Sequence, residues 1–364
     1  MSIRERLPGI VEGEDGRRLR LTGRLVLTSR QAAGGLLLAL FLLALPDITR
    51  LSDSLQLSVF HQGVLFGIAA VGLNLLLRHT KLVSFGHAAF FGGGAYTTAV
   101  LATNFGVNEF LLLLVPAIAV ATVLAAVIGA LSLRHTGLYF SLLTLAFGML
   151  LFSVVEGNDQ FFGGTDGLPI RPDPAGRPLL FGAELGPEVY GILLYYLTLV
   201  VLIVALLGMW RLVNSPFGQA LDAIGQNRTR ARFIGVPVER YVWVAFVISG
   251  VYGGAAGAIY AILQLQIDPN GTLFFLRSGD ILFMAILGGF QTLVGPVVGG
   301  IVLVFVQDVG QDFTRFFNFV TGFVLLLLVF GFPRGIVGTL GRGTGLLDKD
   351  GTDEQDSGDL RGAD

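Results

Sequence analysis

Long apolar stretches without a single Asp, Glu, Lys or Arg recur along this chain, and they constrain its fold more than any other feature. They lie at 57–77, 82–103, 110–133, 137–155, 189–210, 241–263, 281–307 and 316–331, with a shorter run at 32–46. Crossing a hydrocarbon core takes about 20 largely apolar residues in a helix. Only 14% of the residues are charged, where a soluble domain carries roughly 25%. The expected fold is therefore all-α, a polytopic transmembrane helical bundle of eight to ten spans. Glycines interrupt 82–103 and 281–307, so some spans are expected to be broken or half-length.

Charge at the ends divides the chain further. Residues 1–31 form a basic segment with seven arginines in the first thirty positions, and 341–364 an acidic tail with seven acids from 348 onward. The tail is polar enough to be disordered. The stretch between them, 32–340, reads as one transmembrane domain. The run 32–46 ends at Leu45-Pro46 without an Ala-x-Ala cleavage site, so it reads as a retained first span and not as a signal peptide. Cysteine is absent, which excludes disulfides and thiolate metal sites.

Lys and Arg mark the cytoplasmic side of a membrane protein. With the arginine-rich N-terminus inside, Arg78, Lys81 and Arg134 fall inside, the acidic loop 156–188 falls outside, and the loop 211–240, with five arginines, returns inside. A single crossing by 281–307 would leave the C-terminus outside, against this rule. The segment carries Gly288-Gly289, Gly295-Pro296 and Gly299-Gly300. Two tilted or half-length helices are expected there, returning the chain to the outer face and placing both termini in the cytoplasm. The localisation expected is the cell membrane, with the lipid bilayer as surroundings.

Three stretches invite a functional reading. In the loop 211–240, Ser215-Pro216 reads as a side-chain cap followed by proline at the first helical position. Phe217, Ala220, Leu221 and Ile224 follow at helical spacing, and Gly225 breaks the pattern. A second short helix around 227–234 ends at Gly235. Two short helices between long spans suit a docking element, and an ordinary basic loop held by anionic headgroups is the plainer alternative.

The stretch from Leu82 to Tyr96 gathers Ser84, Gly86, His87, Gly92, Gly93 and Gly94. Close helix packing explains glycines of this kind, and a broken helix lining a pathway is the functional alternative. His87 stands alone, and His61, His79 and His135 show no metal-ligand spacing with it. The turn Gly163-Gly164-Thr165-Asp166-Gly167 lies on the outer side and suits contact with an extracytoplasmic partner, or simply a solvated turn.

Absences narrow the function. There is no Gly-x-x-x-x-Gly-Lys-Ser/Thr phosphate loop, so the chain is expected to hydrolyse no nucleotide and to hold no cofactor. No carboxylate is expected in the interior of any span, which disfavours proton-coupled carriers with their buried relay acids. No paired nucleophile and base suggests an enzyme, no metal site is expected, and nothing points to nucleic acid.

These motifs, in order, resemble the membrane permeases of branched-chain amino acid ABC transporters, of the LivH/LivM kind, over roughly 57–340. Gly72-Leu-Asn-Leu-Leu76, Leu82-Val-Ser-Phe-Gly-His-Ala-Ala-Phe-Phe91, Gly137-Leu-Tyr-Phe140 and Thr144-Leu-Ala-Phe-Gly148 carry the early part of the likeness. Gly163-Gly-Thr-Asp-Gly-Leu168, Ser215-Pro-Phe-Gly218 with Ala220, Ile224, Asn227 and Gly235, Leu287-Gly-Gly289, Gly295-Pro296 and Phe332-Pro-Arg-Gly335 carry the rest. Gln291 and Thr229-Arg230 depart from the pattern.

The resemblance implies an importer of branched-chain or other hydrophobic amino acids. It works with separate ATPase subunits that bind ATP, a second homologous permease and an extracytoplasmic substrate-binding protein. It further implies an ATPase-coupling loop holding Pro216, Phe217, Gly218, Ala220, Leu221, Ala223, Ile224, Asn227, Arg228 and Gly235. Within it, Phe217, Ala220, Leu221 and Ile224 are expected to insert into a groove of the ATPase. Candidates for the pathway or for helix packing are Ser84, Gly86, His87, Gly92, Gly93, Gly94, Thr144, Gly288 and Gly289. An ABC permease for urea, amides or sugar, or a stand-alone carrier or channel, is the rival reading.

Overall fold

A computed structural model describes residues 9–13, 16–22, 25–51, 56–170, 186–313, 317–332 and 335–340. The acidic tail and residues 171–185 of the 156–188 loop lie outside the described residues.

The chain opens with three short strands, β1 (Gly9–Gly13), β2 (Gly16–Thr22) and β3 (Leu25–Thr28), paired antiparallel in sequence order. The alternation Arg18-Leu19-Arg20-Leu21 has the period of a strand, within a segment read above only by its charge. Beyond them the described chain is almost wholly helical. The helices are α1 (Ser29–Leu51), α2 (Leu57–His79), α3 (His87–Asn104), α4 (Phe110–Ser132), α5 (Leu138–Glu156) and the single turn α6 (Asp159–Phe162). After a 3-10 turn and β4 (Leu168–Pro169) come α7 (Pro187–Val213), α8 (Pro216–Gln226), α9 (Arg228–Phe233) and α10 (Val238–Gln264). The chain continues with β5 (Gln266–Ile267), α11 (Pro269–Thr272), α12 (Phe275–Gly288), α13 (Gly295–Phe313), α14 (Phe317–Gly331) and α15 (Ile336–Leu340).

Among the described residues six helical stretches are long and apolar enough to cross a membrane: α2, α4, α5, α7, α10 and Pro269–Gly288. Shorter apolar stretches run over Leu38–Thr49 in α1 and Gly295–Gly310 in α13. The protein is a multi-pass helical membrane protein. Its 18-residue α3 is not among the six, and most of its residues are buried. Backbone that cannot face lipid comfortably is enclosed by other helices.

Small residues set the close approaches. A Cβ on Gly94 would stand 2.3 Å from the Gly254 carbonyl oxygen, where α3 meets α10. One on Gly254 would stand 2.3 Å from Ala121 Cβ of α4. With no hydrophobic drive between helices inside lipid, such contacts and interhelical hydrogen bonds hold the bundle. His61 Nε2 meets Thr198 Oγ1 at 2.7 Å between α2 and α7, and Tyr195 Oη donates to the Leu42 carbonyl at 2.8 Å, tying α7 to α1.

The expected break in 281–307 falls between α12 and α13. At the turn a Cβ on Gly288 would come within 1.8 Å of the Gly295 oxygen, and Gly289 has φ +108°. One boundary differs from the expectation, with a chemical consequence. Because α12 starts at Phe275, Arg277 and Asp280 lie inside a candidate span. The charge-free criterion had excluded carboxylates from every span. Asp280 is admitted because Arg277 Nη1 donates to its Oδ2 at 3.2 Å, while Arg277 Nε donates to the Gly271 carbonyl at 2.8 Å. The guanidinium also lies 5.1 Å from the Phe66 ring centroid, a favourable cation–π position. A charge inside a span is tolerated when paired in this way.

Candidate functional site

Helices α8 and α9 cap one end of the bundle, the end that carries Arg78, Lys81 and the arginines of 211–240. Proline opens α8, as expected. Ser215 does not cap it through its side chain: its Oγ turns back and donates to the Leu212 carbonyl at 2.6 Å, joining α8 to the last turn of α7. Nor does Gly225 end the helix, which runs on to Gln226. Gly225 is needed for proximity, since a Cβ there would stand 2.3 Å from the His79 carbonyl oxygen. Asn227 caps α9, its Oδ1 accepting from the Arg230 amide at 3.0 Å, and Gly235 follows with φ +87°.

Three further contacts fasten α8 to the spans. His79 Nδ1, on the last residue of α2, is 2.5 Å from Asp222 Oδ1. Phe217 stacks on Tyr241 of α10 with ring centroids 5.2 Å apart. Gly218 lies so close to α7 that a Cβ would be 2.0 Å from the Val213 oxygen.

The apolar stripe of α8 faces inward. Leu221 and Ile224 are fully buried among the chain's own helices, so they are in no position to insert into a partner. An amphipathic helix lying across a bundle end buries its stripe in the nearest apolar surface, and here that surface is its own protein. Phe217 is half-buried in its stack, Ala220 and Ala223 are half-buried, and Pro216, Gln219, Asp222 and Gln226 are exposed. In α9, Arg232 pairs with Glu239 on the surface. Burial lowers the pKa of the half-buried Arg228 guanidinium, Arg232 adds to that effect, and Glu239 opposes it.

A second constellation surrounds the start of α3. The segment 80–86 between α2 and α3 turns inward, with hydroxyls of α5 and of its own Ser84 on its backbone, while hydroxyls of α10 and α12 meet the first residues of α3. Ser141 Oγ of α5 donates to the Val83 carbonyl at 2.6 Å, and the Phe85 amide donates to Thr144 Oγ1 at 3.3 Å. The Gly86 amide donates to Ser84 Oγ at 3.3 Å, and the Ala88 amide to Ser278 Oγ of α12 at 2.8 Å. His87, fully buried, meets Ser249 Oγ of α10 at 2.6 Å. The first amides of a helix have no partner within the helix, and these side chains supply partners from neighbouring helices. Ser84, Gly86, His87 and Thr144 are thereby brought together. Gly92, Gly93 and Gly94 lie further along α3, against Leu273, Leu124 and Gly254, and Gly288 and Gly289 belong to the separate α12–α13 turn. Ser141, Ser249 and Ser278 escaped the sequence reading. The spacing of Ser141 and Thr144 on one face of α5 was the available signal for the first; the other two are distant in sequence.

The turn at 163–167 lies at the opposite end. Its glycines have φ +74°, +55° and +75° at 163, 164 and 167, a region where side chains are strained. Thr165 and Asp166 are exposed between them. The turn is held in place rather than loose: β4 pairs antiparallel with β5, Thr103 Oγ1 donates to the Pro169 carbonyl at 2.6 Å, and Asn104 Nδ2 to that of Phe161 at 3.2 Å. Among the described residues no group of three His, Asp or Glu is placed to hold a metal.

The family model for "Branched-chain amino acid transport system / permease component" matches residues 55–330. The chain belongs to this family. It is similar to the high-affinity branched-chain amino acid transport system permease protein LivM of Escherichia coli K12, 26% identical over 290 residues, covering 75% of this chain and 68% of LivM. A probable branched-chain amino acid transport permease protein LivH of Methanocaldococcus jannaschii is 24% identical over 245 residues, covering 65% and 74%. The autoinducer 2 import system permease protein LsrC of an Enterobacter strain is 33% identical over 138 residues, covering 36% of this chain and 40% of LsrC. No solved structure matches the chain. The permease family accounts for most of the described bundle, from just before α2 to the end of α14.

Proposed function

We propose that this chain is a permease subunit of an ABC importer that moves branched-chain or other hydrophobic amino acids across the cell membrane. Separate ATPase subunits bind the ATP, and the chain itself is not an enzyme. A second homologous permease completes the pathway, and an extracytoplasmic binding protein delivers the amino acid at the 163–167 end. The arginine-bearing end and both termini face the cytosol.

The observation that carries this reading, beside family membership, is the fastening of α8. A partner shifts a conformational equilibrium only through contacts that differ between two states. Tied to α2, α7 and α10 at once, α8 passes a push at its surface into three spans. Pro216, Gln219, Ala220, Ala223 and the exposed ends of α9 form the surface that meets the ATPase. Leu221 and Ile224 transmit force inward. Changing Ala220 or Ala223 to Glu is expected to abolish both transport and transport-stimulated ATP hydrolysis in the assembled complex while leaving membrane insertion intact. Normal values of both in a well-inserted variant refute the assignment.

The LsrC likeness favours one second reading, an ABC permease for another polar solute such as a sugar. It rests on a higher identity over a much shorter stretch. Competition of uptake by leucine, valine and a sugar panel distinguishes the two.

A further inference from the structure

We propose that a cavity at the arginine-bearing end binds a small zwitterion with an aliphatic side chain, the transported amino acid itself met from the side of its release. The ligand class rests on the amino-acid reading above; the cavity and its chemistry do not.

The cavity, of about 190 Å³, lies between the ends of α2 and α7 and the α12–α13 turn. Pockets for drug-sized ligands run to roughly 300–1,000 Å³, so this one suits something smaller. The apolar part of its lining includes Val71 and Leu75 from α2, Met209 from α7 and Leu293 from the turn. Three polar side chains of α2 line it, Asn74, Arg78 and His79, the last already paired with Asp222, and Asn214 lines it from just past the end of α7. Asn74 and Arg78 are four residues apart and so share a helix face.

Asn74 is 4% exposed; its Nδ2 donates to the Thr292 carbonyl at 3.1 Å, and its buried Oδ1 has no partner. A buried acceptor left unmatched is costly, and a donor in the cavity would satisfy it. Arg78 is half-buried, lines the same cavity and has no ion pair or hydrogen bond among the described residues. A guanidinium so placed favours a carboxylate, which it can grip with two parallel donors.

A carboxylate on Arg78, an ammonium on Asn74 Oδ1 and an aliphatic side chain against Val71, Leu75 and Met209 meet every demand together. Water can satisfy Asn74 but leaves Arg78 without a counter-charge. A lipid phosphate can pair with Arg78, but its acyl chains need a way out to the bilayer, and Val71, Leu75 and Met209 are each buried.

Position gives the site a consequence. His79 and Val213 line the same cavity, and they are two of the residues against which α8 is seated. A ligand with different affinities for the two transport states shifts their populations by that difference. Occupancy by released amino acid would hold α8 in one seating and slow further import, a feedback set by the internal concentration.

The test uses the complete transporter in right-side-out vesicles, with ATP enclosed and labelled valine delivered from outside. Uptake into vesicles without internal amino acid checks the transport reading alone. Enclosing leucine is expected to slow initial uptake severalfold. Leucinamide, which lacks the carboxylate, and N-acetyl-leucine, which lacks the ammonium, are expected to leave it unchanged. Arg78→Gln, Asn74→Ala and the cavity-filling Leu293→Trp should each relieve the slowing while keeping the rate into empty vesicles.

The proposal is overturned if enclosed leucine has no effect, if it acts equally on the three variants, or if leucinamide acts as well. Should uptake fail altogether, calorimetry of leucine with the purified protein still decides the site. Binding about tenfold weaker in Arg78→Gln supports it, and no binding or equal binding refutes it.

Discussion

Helices α2 and α4 are of equal length, 23 residues, and both are apolar enough to cross a membrane, yet they occupy opposite positions. The most apolar stretch of α2 is 94% buried within the protein and that of α4 only 28%. The more hydropathic helix of the two is the exposed one. The same holds for α5 and α7 against α10. In a soluble protein the most apolar segments form the core; here they face outward, and the interior mixes leucine, phenylalanine and valine with glycines at the close approaches and with buried serine, threonine and histidine. Lipid is as apolar as leucine, so greasiness gives no reason to be inside. What requires the inside is backbone proximity and polar groups that need partners.

Substitutions can break this contrast, and the largest effect is expected in the interior. Gly94→Val places side-chain atoms into the Gly254 carbonyl and should cost on the order of 4 kcal/mol or more, within the range of severe overpacking and strain. Loss of the monodisperse peak in detergent chromatography would register it. Next comes Arg277→Ala, which removes the counter-charge of Asp280 inside α12 and leaves it only its hydrogen bond with Gln307, and should cost about 3–5 kcal/mol. The double change of Arg277 and Asp280 to leucine should recover most of that in a denaturant titration. Ser278→Ala leaves the Ala88 amide without its acceptor and should cost about 1–3 kcal/mol.

At the other extreme, Val123→Ala, at a position of α4 that is 61% exposed, should stay within about 0.5 kcal/mol for the isolated chain. If Val123→Ala proves as destabilising as Ser278→Ala, the division between inner and outer helices is wrong. If it is silent in the isolated chain and costly in the assembled transporter, that face of α4 meets the second permease instead of lipid.

Much of the architecture was legible because membrane spans announce themselves locally. The apolar runs gave the helices, Pro216 gave the start of α8, and the glycines at 288, 289 and 295 gave the break between α12 and α13. The errors arose where local signals depend on distant partners. Asp280 was excluded from the membrane because charge-free runs were counted, and a single-residue count has no knowledge of its pairing with Arg277, itself placed over the Phe66 ring. Leu221 and Ile224 were assigned to a partner because an amphipathic stripe does not declare which surface it will meet. Ser215 looked like a helix cap, and its hydroxyl found the Leu212 carbonyl instead. The strands of the N-terminal segment were obscured by the charge that accompanies their alternation.

From its sequence alone the chain was committed to a bilayer, to helices and to a permease family, because each of those follows from composition and short-range order. Which helices lie inside was decided only by tertiary structure, as was the service of Ser141, Thr144 and Ser278 to the backbone around α3, and the seating of α8 on His79. Those outcomes depend on which groups meet across long separations, and a donor's partner is fixed by the fold that brings it there.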